Sequence, residues 1–172
     1  MSDRIAVINK GRVVQLDGPQ DLYEKPRTQF VANFIGESYS LPVDISAGKA
    51  SLFGRLLHLA AAPANPAKSQ ILVLRPEKLR LVENDAGQSE NVVAGEVRQS
   101  VFQGDSVVTY VTLAQGHEIA VRQPHRASRV LPKAGSAVEI GFSLEDTIIV
   151  PKDADAHLTA AASCTSGWCS IR

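Results

Sequence analysis

The sequence is poor in aromatic residues and carries no excess of either charge, and both features narrow the possible functions. Aromatic residues make up 5% of the chain, and 18 Lys and Arg residues balance 18 Asp and Glu residues, so the formal net charge is 0. A protein that binds nucleic acid generally offers a basic surface to the phosphates and aromatic rings to the bases. We therefore expect no nucleic-acid partner and disfavour a nucleic-acid-binding barrel.

The chain also lacks a cysteine framework and long apolar runs. Its two cysteines, Cys164 and Cys169, stand near the C-terminus with no second pair and no histidine at metal-ligand spacing. This pattern predicts reduced thiols in a loose tail rather than a zinc site. No apolar run approaches the roughly 20 residues that cross a bilayer, and no signal peptide is recognisable. The sequence therefore predicts a cytoplasmic protein.

The histidines and nucleophiles form no pattern that is typical of a catalytic or metal site. His58, His117, His125 and His157 are scattered, and no two of them have the i, i+4 spacing of helical metal ligands. An isolated histidine is usually a surface or hydrogen-bonding residue. No nucleophile and base are visibly paired. We therefore predict no catalytic, cofactor-binding or metal-binding residues, and no enzyme activity of this chain.

Two groups of charged residues are candidates for ligand binding. A basic group could bind an anion or an acidic partner, and it comprises Arg122, His125, Arg126, Arg129 and Lys133. An acidic group could attract a cation such as a polyamine, and it comprises Asp105, Glu145 and Asp146. Charged residues in loops and at strand ends are more often simply solvated. We favour the solvated interpretation for both groups and keep binding as the alternative.

A series of short alternating strands is the main positive feature of the sequence. From Val107 to Leu113, and again through Ile119 and Val121, apolar side chains recur at every second position, which indicates a hairpin with one face in a core. Gly104 suits a tight turn or a bulge before this hairpin. Further β-prone runs are residues 71–75, 93–98, 138–142 and 147–150. Short strands bounded by Gly and Pro predict a mainly β protein with a small barrel or sandwich.

The first 36 residues predict a mixed α/β segment. Two β-prone runs around residues 9–11 indicate a hairpin whose strands are apolar on both faces and need cover on both sides. One helix is predicted from Pro19 to Pro26. A second helix is predicted from Thr28, with an apolar face formed by Phe30, Val31, Phe34 and Ile35. Residues 37–42 are predicted to be a polar connector.

Several short motifs, taken in order, resemble the end of the ATP-binding subunit of an ABC-type importer. They are Ser2-Asp3-Arg4-Ile5, Asn9-Lys10-Gly11-Arg12, Gly18-Pro19, Leu22-Tyr23-Glu24-Lys25-Pro26 and Phe34-Ile35-Gly36. The C-terminal part of the chain resembles the family's appended β-barrel, the TOBE domain, through Leu74-Arg75-Pro76-Glu77 and the framework of Gly95, Gly104, Gly116 and Gly135. The central strands look most like those of spermidine/putrescine importers.

The resemblance implies a chain of three parts. Residues 1–36 would be the C-terminal remnant of an ABC nucleotide-binding domain, residues 37–152 an OB-like TOBE β-barrel, and residues 153–172 a flexible tail. It implies an accessory and regulatory role in polyamine uptake, in a protein that is peripheral at the inner face of the plasma membrane. Its partners would be the permease subunits and a second ATP-binding subunit, paired as a homodimer.

The sequence departs from this family because the ATPase motifs are missing. No G-x-x-x-x-G-K-[ST] phosphate loop occurs, and the nearest string, Gly48-Lys49-Ala50, has alanine where the Mg²⁺-binding hydroxyl should be. The ATP and Mg²⁺ of the full-length family would therefore have no site in this chain. By the resemblance the missing motifs would precede residue 1, and Met1 is either an internal methionine or the start of a truncated gene. The alternative function is a stand-alone barrel that binds a small oxyanion or a polyamine.

Two further expectations concern assembly and stability. The apolar run from Ile71 to Leu74 is expected at an open edge of the barrel, where it would pair with a second copy of the chain. Residues 1–36 are expected to be the least stable part of the protein, because a hairpin and two short helices are marginal alone. Their removal is expected to leave the barrel folded.

Overall fold

The computed structural model describes residues 3–60, 69–82, 91–127 and 130–153, which form short strands and two short helices. The strands are β1 Ile5–Asn9, β2 Arg12–Asp17, β3 Tyr39–Ser46, β4 Lys49–Leu52, β5 Arg55–Leu56, β6 Gln70–Leu74, β7 Arg80–Leu81, β8 Asn91–Phe102, β9 Ser106–Leu113, β10 Glu118–Pro124, β11 Ala137–Phe142 and β12 Ile148–Pro151. The helices are α1 Pro19–Glu24 and α2 Gln29–Phe34. The predicted mainly β fold is confirmed.

The strands form three antiparallel sheets. The hairpin β1–β2 is a sheet by itself, a second sheet has the order β10-β9-β8-β11-β7, and a third has the order β12-β6-β3-β4-β5. Strand β10 also contacts β7 and the 3₁₀ turn Pro76–Lys78, so the two ends of the second sheet approach each other. The second and third sheets together make the β-barrel, and residues 3–36 make the N-terminal segment.

One hydrophobic core lies between the two five-stranded sheets. Both sheets contribute to it, because each strand turns alternate side chains inward. The buried core residues are Leu41, Val43, Leu52, Leu72, Leu74, Leu79, Val93, Val111, Leu113, Ile119, Val121, Ile140 and Phe142. The alternation along β9, β10 and β11 therefore identified the core correctly.

Tight turns join many of the strands, and several place a non-glycine residue at positive φ. Ala47, which precedes Gly48 between β3 and β4, has φ 49°, and Phe53, between β4 and β5, has φ 50°. Two consecutive residues with positive φ meet the requirement of type I′ turns, whose twist matches that of paired strands. The turn between β8 and β9 contains Gly104 at φ 92°, as the sequence predicted.

Strand β6 lies inside its sheet, so the prediction that Ile71–Leu74 forms an open edge is wrong. It is hydrogen-bonded to β12 on one side and to β3 on the other, and all five of its residues are buried. Leu72 and Leu74 face the core, while Ile71 and Val73 pack on the opposite face against Ala32 of α2. An apolar run without alternation indicates a strand covered on both faces rather than an edge strand.

The predicted connector at residues 37–42 is also wrong, because β3 already begins at Tyr39. Tyr39–Val43 pairs with β6, and Pro42 stands within the strand opposite Ile71. Strand β4 pairs only with Asp44–Ser46 of β3, so within the described residues Pro42 has a partner strand on one side alone, and proline is tolerated at such a local edge. The polar composition of this stretch reflects partial exposure of the strand rather than a linker.

Both helices of the N-terminal segment begin where the sequence predicted. Helix α1 has Pro19 at its first position, and the Thr28 side chain caps α2 by accepting a hydrogen bond from the Val31 amide at 3.3 Å. The predicted apolar face of α2 is wrong at Phe34, which is 65% exposed, whereas Ala32 is fully buried. Phe34 stacks on the Phe30 ring one turn earlier at a centroid distance of 6.0 Å.

The β1–β2 hairpin is covered on one face. Val7 is buried against Leu22 and Val31, whereas Ile8 and Val13, which pair across the ladder, are each 59% exposed. The sequence predicted that these strands need cover on both sides, and the described residues supply it on one. An exposed apolar ribbon of two strands is an unusual surface for an isolated protein.

Several sequence predictions lie outside the described residues. They include most of the proline-containing loop at 60–69, the polar loop at 84–91, and the tail with Cys164, Cys169 and His157. The proposed boundaries at residues 36 and 152 stay predictions.

Candidate functional site

Arg75 of the β-barrel contacts the N-terminal segment directly. It directly follows β6, and although it is a cation it is only 4% exposed. Its guanidinium carbon lies 3.8 Å from the centroid of the Tyr23 ring, in α1, and its Nη2 donates a hydrogen bond of 2.9 Å to the Tyr23 carbonyl oxygen. One side chain of the barrel therefore holds α1 by a cation–π contact and a hydrogen bond.

The remaining donors of Arg75 are unpaired within the described part of the chain. Its Nε and Nη1 are buried and have no hydrogen-bond acceptor there. A Cβ on Gly36 would lie 3.3 Å from Nη1 and 3.8 Å from Cε2 of Tyr23, so a side chain at Gly36 would crowd the guanidinium. A buried charge costs free energy unless it is paired.

Tyr23 extends this contact to the turn after Arg75. Its hydroxyl donates to the carboxylate of Glu77. Burial raises the pKa of Tyr23 to about 12, and the hydrogen bond to Glu77 and the negative charge of Glu77 act in the same direction, whereas Arg75 acts in the opposite one. The phenol is therefore neutral at physiological pH and acts as a hydrogen-bond donor.

Further polar contacts lie around α2 and the neighbouring Glu37. Asp153, after β12, accepts a hydrogen bond of 2.7 Å from the Phe30 amide and donates its own amide to Oε1 of Gln29 at 3.4 Å. Arg122 of β10 forms an ion pair of 3.1 Å with Glu37, one residue beyond the N-terminal segment. Arg75 thus holds α1, and Asp153 holds α2 at a separate point.

The structure does not gather the predicted basic group into one site. Arg122 pairs with Glu37, and the exposed His125 ring lies edge-on to Phe102 at a centroid distance of 4.8 Å. Arg126 lines a shallow recess with Leu131, while Lys133 is exposed. Arg129 lies outside the described residues.

The predicted acidic group is also dispersed. Asp146 forms an ion pair of 3.1 Å with Lys78 and accepts a hydrogen bond of 2.6 Å from the Ser143 hydroxyl. Glu145 is exposed beside it, whereas Asp105 is exposed in the turn between β8 and β9. Asp146 therefore fastens the Pro76–Lys78 turn to the loop before β12.

The two other described histidines, His58 and His117, each contact a residue elsewhere in the barrel. The His58 side chain is exposed, while its backbone amide donates to Oδ1 of the buried Asn91 at 2.7 Å. The His117 ring lies 5.7 Å from the ring of Phe53. Within residues 3–60, 69–82, 91–127 and 130–153, no group of three or more potential metal ligands comes together.

Sequence reasoning singled out Arg75 as part of a motif but missed its burial and its contact with Tyr23. The available signal was a cation at the end of the apolar run Ile71–Leu74 and directly before Pro76. A charge in that position lies at a strand end, and charged residues at strand ends are usually solvated. Only the packing of α1 over this strand end makes the side chain buried.

Comparison with known proteins identifies the barrel. The model of the TOBE domain family matches residues 72–150, from β6 to the penultimate residue of β12. The chain contains a TOBE domain. The TOBE match therefore includes Arg75 and the turn after it, while Tyr23 lies before the match. The resemblance drawn from the sequence is confirmed in this respect.

Similarity to known proteins also covers part of the N-terminal segment. It is 33% identical over 153 residues to the spermidine/putrescine import ATP-binding protein PotA 2 of Pseudomonas aeruginosa, covering 84% of this chain and 41% of that protein. It is 39% identical over 161 residues to the spermidine/putrescine import ATP-binding protein PotA of Rubrobacter xylanophilus, covering 87% and 41%. The PotA protein of Acidothermus cellulolyticus is 34% identical over 170 residues, with 90% and 44% covered. The chain thus spans less than half the length of these relatives.

Among solved structures, the chain resembles that of the cytoplasmic molybdate-binding protein ModG with molybdate bound. The TM-score is 0.47 at 18% sequence identity, with 67% of this chain and 96% of that chain covered. A likeness at this level bears on neither ligand nor function. In the described part of the chain, neither helix has the length and apolar content needed to cross a bilayer.

Proposed function

We propose that this chain is the C-terminal accessory and regulatory region of the ATP-binding subunit of an ABC importer, and that the importer takes up spermidine or putrescine. The observation that carries the proposal is the similarity to spermidine/putrescine import ATP-binding proteins, which extends from the TOBE domain into the N-terminal segment. A regulatory region must be mechanically joined to the part that it regulates. Arg75 makes such a joint, because it links the barrel to Tyr23 in α1.

The exposed apolar face of the β1–β2 hairpin supports the proposal that this chain packs against the remainder of an ATP-binding subunit. Ile8, Val13 and Leu16 present an apolar surface on a ribbon that has no third strand within the described residues. The remainder of the ATP-binding subunit would cover this surface. The proposed partners are then the permease subunits and a second ATP-binding subunit in a dimer, at the inner face of the plasma membrane.

ATP and Mg²⁺ would be bound by that remainder rather than by this chain. The phosphate loop is absent from the sequence, and successive backbone N–H groups with a lysine are needed to cradle the phosphates. We expect isothermal titration calorimetry with MgATP to give no heat of binding for this chain. Micromolar affinity would show that the chain has a nucleotide site of its own.

Uptake of radiolabelled spermidine tests the proposal directly. Cells that lack the gene for this chain should take up spermidine more slowly, and the gene should restore uptake. Arg75→Met, which removes a buried cation, should restore less uptake than Arg126→Met, which removes an exposed cation and serves as the matched control. Unchanged uptake in the deletion strain, with uptake of another solute reduced instead, would contradict the polyamine assignment.

A further inference from the structure

The last residues of β8 form an open sheet edge, because β8 extends beyond the strand on one of its sides. Strand β9 pairs with it along Gly95–Phe102, whereas β11 pairs with it only along Asn91–Glu96. The last backbone contact on the β11 side is made by Val97, through hydrogen bonds of 2.9 and 2.7 Å with residues 136 and 135. Beyond this point, no strand of the described part of the chain pairs with that side of β8. Residues 98–102, the β8 edge, therefore offer backbone N–H and C=O groups to a further strand.

The β8 edge has few of the features that usually prevent edge strands from pairing. Natural proteins protect such edges with lysines, prolines, unpaired charges or bulges. The only charged residue of the β8 edge, Arg98, forms an ion pair with Glu118 of its own sheet, and the edge contains neither lysine nor proline. The irregularity in the pairing with β9 lies at its start, between Val97 and Gln99, and the register is regular from there to Phe102.

The β8 edge also presents apolar side chains on both faces of its sheet. Val101 pairs with Val108 of β9, and Phe102 pairs with Val107. Because successive side chains alternate, Val101 and Phe102 point to opposite faces. They are 38% and 58% exposed, whereas both of their partners in β9 are buried. A strand added beside β8 would cover part of both side chains and would add apolar burial to the backbone hydrogen bonds.

We propose that the β8 edge is a contact between two copies of this chain, in which the two edges pair antiparallel around a two-fold axis near Ser100. The strands β10, β9 and β8 of both copies then form one continuous sheet of six strands. This arrangement suits the charges, because the two Arg98 residues lie at opposite ends of the paired segment, roughly 13 Å apart along the strands. That separation exceeds the Debye length of about 8 Å at physiological ionic strength.

The proposal specifies one contact of the dimer that the proposed function includes, and it rests on the proposed function in that respect. Its test measures self-association of the purified chain rather than uptake of a solute. A chain that does not self-associate would therefore refute the contact without deciding the polyamine assignment, and unchanged spermidine uptake would refute that assignment without deciding the contact.

Sedimentation equilibrium of the full chain over a range of micromolar concentrations tests the contact, in the presence of a reducing agent so that Cys164 and Cys169 form no disulfide between copies. A reversible dimer is expected. Val101→Lys sets two ammonium groups diagonally across the paired edges and should raise the dissociation constant about tenfold or more, since the change occurs twice in a symmetric dimer. Val13→Lys is the matched control, because it makes the same change at an exposed valine of the β1–β2 hairpin, and it should leave the dissociation constant unchanged.

Three results would overturn the proposal. They are a monomer at every concentration, a dissociation constant of Val101→Lys equal to that of wild type, and a dimer that only Val13→Lys dissociates, which would place the contact on the hairpin. If Val101→Lys does not fold, amide hydrogen exchange of the wild-type chain decides. Amides of residues 98–102 should exchange more slowly as the protein concentration rises, and equal exchange at low and high concentration would refute the contact.

Discussion

Gly95 in β8 offers the sharpest test of the close packing of β8 against its neighbour β9. It pairs with Leu113 of β9, and a Cβ on it would overlap Cγ1 of Val111 and lie 3.0 Å from the carbonyl oxygen of Thr112. Val111 is fully buried in the core, and the Thr112 oxygen belongs to the neighbouring backbone. Neither atom is the end of a flexible side chain, so Gly95→Ala must push β8 and β9 apart.

Two opposing effects set the change in unfolding free energy that Gly95→Ala causes. Overpacking a well-packed core typically costs about 1–3 kcal/mol. Replacing glycine in a strand by alanine returns roughly 0.5–1 kcal/mol, because the unfolded chain has less freedom to lose. Gly95 is not among the residues with positive φ, so no backbone strain adds to the cost. We expect Gly95→Ala to lower the free energy of unfolding by about 1 kcal/mol, the difference between the midpoints of these two ranges.

Urea and thermal unfolding followed by circular dichroism measure this loss. A protein of this size loses roughly 2–4 °C in Tm per kcal/mol. Gly18→Ala is the matched control, because its Cβ would meet only the carbonyl oxygen of Asp3 at an ordinary 3.7 Å and its φ is −65°. If Gly95→Ala and Gly18→Ala melt at the same temperature as wild type, the close approach of β8 and β9 is refuted.

Two further predictions concern a turn and a titration. Gly104→Val should lower the free energy of unfolding by about 1–3 kcal/mol. The cause is backbone strain at φ 92° rather than a clash, because a Cβ at Gly104 would meet nothing within 4 Å. Gly104→Asn should lower it less, and equal losses in urea unfolding would contradict strain as the cause. Burial and Glu77 raise the pKa of Tyr23 to about 12, so the stability that this group contributes is complete below the unfolded pKa of about 10 and is lost as the pH rises through 12. Tyr23→Phe should therefore flatten the decline in unfolding free energy between pH 10 and 12, and an unchanged slope would show that Tyr23 is not the responsible group.

Local patterns predicted much of the barrel. The alternation in β9, β10 and β11, the turn at Gly104, and the start of α1 at Pro19 each depend on neighbours in sequence, and the structure has them as expected. Such features arise from backbone sterics and from the two-residue period of a strand.

Features that depend on distant parts of the chain could not be predicted in this way. The run Ile71–Leu74 is apolar because α2 covers one of its faces, and Arg75 is buried because α1 lies over it. Phe34 was expected to be buried from its helical spacing, but the helix is rotated so that Ala32 meets β6 instead. Helical periodicity identifies an apolar side of a helix only approximately, and the packing partner sets its centre.

The central structural claim is that the N-terminal segment and the β-barrel pack as one unit. Deleting residues 1–36 would uncover Ile71 and Val73, and each large apolar side chain contributes about 1.5–3 kcal/mol when fully covered. The sequence alone suggested that the barrel would be indifferent to this deletion. The packing of Ala32 and the contact between Arg75 and Tyr23 predict otherwise.

The direct measurement is calorimetric unfolding of the full chain beside a chain that begins at Glu37. Packing as one unit predicts a single cooperative transition for the full chain and a clearly lower Tm for the shortened one. Two separate transitions in the full chain, the upper one at the Tm of the shortened chain, would contradict it.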